Sequence, residues 1–281
     1  MSNFLLPAIA LAAILGAACG LSILSGAPAQ TRKSPTPLPT PVTTKNPDTV
    51  VHVIVALCDN ENQGIVPVPA KLGNGEDPSR NLYWGAAFGV KTYFSKSSSW
   101  TSLGELKAPK DEILERIAFR HKKTGALLVA DAYRGADIKT AIEDYFSFAA
   151  GSGAEPIVVG EKEYVLGAGA KYIAYIGHNG LMDFDLSAPK SIPASRERKG
   201  IVLACYSGKY FGKALKDTET APLLVTRQFM APEAYSLHDA LESSLDGKSD
   251  EAAFEAAAAA YARYQRISVK AAKGVFSNSW N

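Results

Sequence analysis

Several short, continuous apolar runs rich in β-branched residues punctuate this chain, and each stops at a polar or reactive residue. Val50-Val-His-Val-Ile-Val-Ala-Leu57 gives way to Cys58-Asp59, and Tyr172-Ile-Ala-Tyr-Ile-Gly177 to His178. Ile201-Val-Leu-Ala204 runs into Cys205, and Pro222-Leu-Leu-Val-Thr226 into Arg227. Such runs suit parallel strands buried on both faces. Between them lie helical patterns, including 137–149 with Ile138, Ala141, Ile142, Tyr145 and Phe146 on one stripe. Alternation of this kind predicts an α/β fold, a largely parallel sheet with helices on both faces.

Further along, 126–131 reads as another strand and 155–167 as a hairpin. The spacing of Ile113, Leu114, Ile117 and Ala118 predicts a helix over 110–122, with the basic cluster 120–123 at its end, where cations suit the dipole. Residues 81–94 read as a helix and then a short strand. A short helix is expected near 211–215, and the Ala-rich stretch 251–272 as one helix. The Gly/Pro/Asn-rich loop reaching Arg80 is expected to be ordered only in part. His52, far from the carboxyl end of its strand, reads as a hydrogen-bonded structural histidine.

In open α/β sheets the functional crevice lies outside the carboxyl ends of the strands. His178 and Cys205 stand just past two such ends. A thiol becomes a useful nucleophile when a base takes its proton, and imidazole is the usual base. The two form a candidate catalytic dyad. Four scattered histidines and no close Cys/His pair argue against a zinc site. No G-x-S-x-G elbow and no Gly-rich phosphate loop is present, so neither a metal nor a cofactor is expected. A net charge of +2 gives no reason to expect nucleic acid.

The 281 residues suffice for one large domain with appendages. Residues 1–30 carry no charged side chain, and 4–24 are nearly continuously apolar. That segment reads as a secretory signal ending at Ala27-Pro28-Ala29, a lipoprotein signal using Cys19, or an uncleaved anchor. Export, to a periplasmic or membrane-tethered position, is the favoured reading. Arg32 and Lys33 on the far side would instead favour a cytoplasmic-facing domain if the segment stayed in the membrane. Residues 31–48 form a Pro/Thr-rich spacer, with Pro at 35, 37, 39 and 41. The globular domain is expected over 49–281.

A hydrophobic block ending in His178, followed by another ending in Ala204-Cys205, resembles the caspase–legumain–gingipain group of cysteine peptidases. Ala204-Cys-Tyr-Ser-Gly-Lys-Tyr-Phe211 is most similar to the Ala-Cys-x-Ser-Gly stretch of legumains. Residues 223–236 resemble the legumain strand and loop that follow the nucleophile, and Ala132-Tyr-Arg-Gly-Ala-Asp-Ile138 is a fainter echo. The likeness spans roughly 50–240. It implies the caspase-hemoglobinase three-layer sandwich and hydrolysis of a peptide or protein substrate by the His178–Cys205 dyad. The implied oxyanion hole comprises backbone N–H groups at Asn179, Gly180 and Cys205, and no third catalytic residue is implied. Asp183 and Asp185 read as solvated loop residues. The implied strand order puts Cys58 and Cys205 about two strand spacings apart, roughly 10 Å, too far for a disulfide.

The chain departs from the family at two positions. Asn179 stands where the family has Gly, although Asn tolerates positive φ best among the other residues. Leu203 stands where caspases carry Gln and legumains Glu, which removes a polar pocket wall. The alternative is an inactive caspase-like protein that binds a peptide or protein partner. Asp59 and Arg227 occupy places that line the family's specificity pocket. A pocket-facing Asp59 predicts basic substrates, Arg227 acidic ones, and a pair between them a neutral polar residue. Basic is the favoured reading, because Arg227 is long enough to reach solvent.

Overall fold

A computed structural model describes residues 49–193 and 197–280. The expected signal or anchor at 1–30, with Cys19, and the whole of the spacer 31–48 lie outside these residues. In chain order the elements are β1 (Val50–Ala56), α1 (Val90–Ser95), β2 (Trp100–Leu106), β3 (Ile113–His121), β4 (Leu127–Tyr133) and α2 (Ile138–Ala149). There follow β5 (Glu155–Val159), β6 (Lys162–Leu166), β7 (Tyr172–Ile176), β8 (Arg198–Leu203), α3 (Ser207–Leu215) and β9 (Thr220–Thr226). The chain continues through α4 (Ala234–Leu245), α5 (Asp250–Gln265), α6 (Val269–Val275) and β10 (Phe276–Ser277).

Eight strands form one sheet in the order β10-β9-β8-β7-β1-β4-β3-β2. The five central strands, β9 to β4, run parallel; β10, β3 and β2 pair antiparallel at the two sides. Every residue of β1 and β7 is buried, as expected for strands covered on both faces. Val51, Val53, Val55, Ile176 and Leu203 pack beneath α1, α4, α5 and α6. Val50, Ile54, Ile173, Tyr175 and Val202 pack beneath α2, α3 and the β5–β6 hairpin. The protein is thus an α/β three-layer structure with a mixed, mostly parallel sheet. Among the described residues no helix is long and apolar enough to cross a membrane.

Four sequence expectations are corrected. Residues 113–121 form strand β3, not a helix: Ile117 and Phe119 face one core while Ala118 faces the other. Pairing with β2 and β4 overrides a spacing that fitted a helix equally well. Its basic end is a hairpin turn, where Lys122 Nζ reaches the Ser98 carbonyl and Lys123 pairs with Asp246. Residues 81–94 contain only α1, preceded by turns, and β2 is an exposed edge strand without an apolar pattern. The Ala-rich stretch breaks at Arg266, which adopts a left-handed conformation (φ 54°), and Ser268 caps a new helix. Helix α4 begins within the stretch read as strand and loop.

Side-chain amides that imitate backbone hold parts of the loop from 57 to 89. Fully buried Asn81 accepts from the Cys58 N–H (3.0 Å) and donates to the Cys58 carbonyl (2.8 Å), as a neighbouring strand would. Gln63 donates to the Leu57 and Gly135 carbonyls, and Asn60 exchanges two bonds with the backbone of Val68. These bonds satisfy loop groups that would be costly to bury alone.

His52 is structural, as its position suggests. Its Nδ1 accepts from the Gly167 N–H (3.0 Å), so its Nε2 carries the proton donated to Asp131 (2.9 Å). Arg116 binds both oxygens of Asp131 (2.6 and 2.7 Å) and both of Glu155 (2.5 and 3.0 Å). The network ties β1, β3, β4 and β5 together inside the fold.

Candidate active site

The register of the sheet brings the two reactive residues to one level. Ile176 pairs with both Val55 and Leu203, so Leu57, His178 and Cys205 each lie two residues past the same rung. Adjacent strands stand about 4.8 Å apart. Gly177 makes the turn that delivers His178; at φ 154° a side chain there would meet the Ala56 carbonyl at 2.9 Å. The Tyr175 hydroxyl donates to the His178 carbonyl (2.8 Å) and holds the turn from below.

Cys205 sits on a sharp strand-to-helix turn. Tyr206, next in sequence, is left-handed (φ 50°), a conformation costing on the order of 1 kcal/mol for a residue other than Gly. Ser207 locks it: its hydroxyl donates to the Val202 carbonyl (2.7 Å), and its N–H donates to Thr226 Oγ1 (3.0 Å). The thiol is partly exposed, and its nearest acceptor is the Met230 carbonyl at 3.7 Å. No hydrogen bond joins it to the imidazole.

Asp183 is the residue that sequence reasoning set aside. Its Oδ2 accepts from His178 Nε2 (2.7 Å) and from the Gly64 N–H (3.1 Å). His178 is 8% exposed and Asp183 34%. With Nε2 committed to the carboxylate, Nδ1 is the nitrogen left to act as a base. The five-residue separation of His and Asp across a single 3-10 turn, Gly180–Met182, was the available signal. Asp185 makes no such contact.

Asn179 adopts φ −82°, so its tolerance of positive φ is not what suits it here. Fully buried, it donates from Nδ2 to the Cys205 carbonyl (2.6 Å) and accepts from the Leu181 N–H (3.2 Å). It thereby stitches the His178 loop to the Cys205 turn, which Gly could not do. Among the described residues the N–H groups of Asn179 and Cys205 have no protein acceptor, whereas the Gly180 N–H bonds to the His178 carbonyl at 3.1 Å. Two of the three expected oxyanion donors therefore have an unengaged N–H, and that of Gly180 is taken.

Each expected specificity residue has hydrogen-bond partners of its own. Asp59 closes its own turn, accepting from the Glu61 and Asn62 N–H groups and from Asn62 Nδ2. Arg227 is exposed and donates to Ser277 Oγ (3.1 Å), so the two do not pair. Leu203 is buried in the core. Both Cys58 and Cys205 are free thiols on strands separated by β7. Burial pushes the Cys58 thiol up to about 11. At neutral pH it is roughly one part in 10⁴ thiolate and a poor nucleophile.

A groove of about 650 Å³ between Phe184, Leu186 and Tyr210 lies behind the His178 loop and is lined by neither reactive side chain. Among the described residues no three His, Cys, Asp or Glu side chains are grouped to hold a metal ion. No family model, curated protein or solved structure matches this chain.

Proposed function

We propose that this protein is a cysteine peptidase of the caspase–legumain–gingipain type, built on that group's version of the three-layer fold. The observation that carries the reading is the common rung beneath His178 and Cys205, with Asn179 bonded across from one turn to the other. Cys205 Sγ attacks the carbonyl carbon of a peptide bond while His178 takes the thiol proton. The imidazolium then returns that proton to the departing amine, leaving an acyl-enzyme thioester that water hydrolyses. The N–H groups of Cys205 and Asn179 are the donors available to the oxyanion. Asp183 acts as a positioning residue: it holds the tautomer with the proton on Nε2 and stabilises the imidazolium.

A peptidyl vinyl sulfone, with the labelled sites mapped by mass spectrometry, tests the reading. Label is expected on Cys205 and not on Cys58, and it should be lost in His178→Ala. Label that ignores His178 would favour a binding protein on the same fold.

The role of Asp183 is read from the pH dependence of Cys205 alkylation. Asp183→Asn should lower kcat/KM by about 10²-fold, the lower end of what positioned acid–base chemistry contributes. It should also shift the alkylation profile, which a merely structural role would leave in place. Gly64→Ala should reproduce part of the effect, because a Cβ there would collide with the Asp183 carboxylate.

A further inference from the structure

A second nucleophile and base meet where α1 packs against α4. Ser97 lies two residues past the end of α1. His238 stands on α4, its ring edge-on to Tyr93 (5.3 Å) and tilted against Phe94 (5.4 Å). Ser97 Oγ is 2.8 Å from His238 Nε2, and Asp239 Oδ1 is 2.8 Å from His238 Nδ1. Both distances suit a nucleophile, its base and the group that orients the base. A Ser-His-Asp constellation is recognised by geometry and roles, not by its place in a sequence. The missing G-x-S-x-G elbow therefore does not argue against this one. Ser97 leads into β2, the edge strand, which stands five strand spacings from β8 and hence about 24 Å from the strand that carries Cys205.

The proton positions follow from the bonds. With Nδ1–H donated to Asp239, Nε2 is the acceptor and the Ser97 hydroxyl donates to it. The Ser99 N–H donates to Ser97 Oγ (3.1 Å), which fixes the hydroxyl's rotamer and turns its proton to the imidazole. Arg263, from α5, holds the other oxygen of Asp239 (3.2 Å). Glu242, one turn further along α4, sets Oε1 3.8 Å from Nε2 and is itself held by Trp100 Nε1 (2.7 Å) and His121 Nε2 (3.4 Å). An imidazolium formed here has a carboxylate beside each nitrogen. The relay is more fully assembled than at Cys205, whose thiol has no bond to an imidazole. His238 is 13% exposed, Ser97 half-buried and Ser98 exposed. Among the described residues the Ser98 N–H has no protein acceptor and is available to an oxyanion. Each oxyanion donor is worth about 10²–10³-fold, so a site with few of them suits an ester, whose alkoxide leaves more readily than an amine.

We propose that Ser97, His238 and Asp239 form a second nucleophilic centre that hydrolyses small carboxylic esters. Ser97 Oγ bonds to the acyl carbon as its proton passes to His238 Nε2. The ester C–O bond breaks, and the imidazolium gives that proton to the departing alkoxide. Water, deprotonated by His238, then cleaves the acyl-serine, which releases the carboxylic acid and restores the Ser97 hydroxyl. Asp239 is the positioning residue that keeps the proton on Nδ1. The centre acts independently of the peptidase reading.

Fluorophosphonate labelling mapped by mass spectrometry, with hydrolysis of p-nitrophenyl acetate beside it, tests the proposal. Both are run in the full chain carrying Cys205→Ala, which removes the other nucleophile. Label is expected on Ser97. Ser97→Ala should abolish it and lower ester hydrolysis by at least about 10²-fold. His238→Gln should do the same, with a thermal melt to show that the variant is folded. Asp239→Asn should slow labelling by at least about 10-fold and move its pH profile, which a merely structural carboxylate would not do. No label on Ser97, or label that forms at an unchanged rate in folded His238→Gln, overturns the inference. Should His238→Gln not fold, the pH dependence of Ser97 labelling decides: a rate that rises through one titration upholds the base, and a flat profile overturns it.

Discussion

Cys205→Ala and His178→Ala should each lower the rate of peptide hydrolysis by about 10⁴–10⁶-fold, and the double variant should be little worse than either. Groups that act as a unit lose nearly everything when one member goes. The fold should survive both changes. The Cys205 side chain is partly exposed, and its hydrogen bond goes to the Met230 carbonyl at 3.7 Å. For His178, the two bonds that hold its turn, from the Tyr175 hydroxyl and the Gly180 N–H, are made to its backbone carbonyl and not to the ring. Removing the ring leaves Asp183 its Gly64 partner. Steady-state kinetics beside a thermal melt check this. Near-wild-type cleavage by Cys205→Ala would rule out the thiol as nucleophile.

Arg116→Met should destabilise the protein by about 3–5 kcal/mol, the usual cost of leaving a buried charge without its partner. Asp131 is fully buried and Arg116 nearly so, and the guanidinium is the main cation for both Asp131 and Glu155. For a domain of this size that corresponds to a melting temperature lower by roughly 10 °C. Arg116→Met/Asp131→Leu should recover part of the loss, since no lone carboxylate is then buried. Burial raises the Asp131 pKa, but Arg116 and His52 outweigh it and hold the carboxyl below its ordinary 3.8. A depressed folded value means stability that is present above about pH 4 and is lost as pH falls through that value. Acid unfolding should therefore steepen below pH 4 in the wild type. Urea titrations at pH 7 and pH 3 read both effects; Arg116→Met within 1 kcal/mol of wild type at pH 7 would show that the network contributes little.

The strands that carry His178 and Cys205 were legible because a strand buried on both faces must be apolar at every position, and that signal survives in a single sequence. The same continuity placed β1, β4 and β9, and it marked His178 and Cys205 as the residues where the runs end. Residues 113–121 misled for the opposite reason. Ile113, Leu114, Ile117 and Ala118 satisfy a helical stripe, but Arg116 can be buried only where β4 supplies Asp131 and β5 supplies Glu155. No local pattern contains that partner.

The chain alone therefore determined the five parallel strands at the centre of the sheet and which two side chains stand past their ends. Tertiary structure decided what surrounds them. The rung shared by Val55, Ile176 and Leu203 sets the level of His178 and Cys205. Asp183 became the partner of His178 because a single 3-10 turn folds it back and Gly64, 119 residues away in sequence, holds its other side. Asp59, charged and well placed in sequence, is occupied by three bonds within its own turn. Apolar burial is written residue by residue along a strand; the pairing of a charge depends on which distant group the fold brings within about 3 Å.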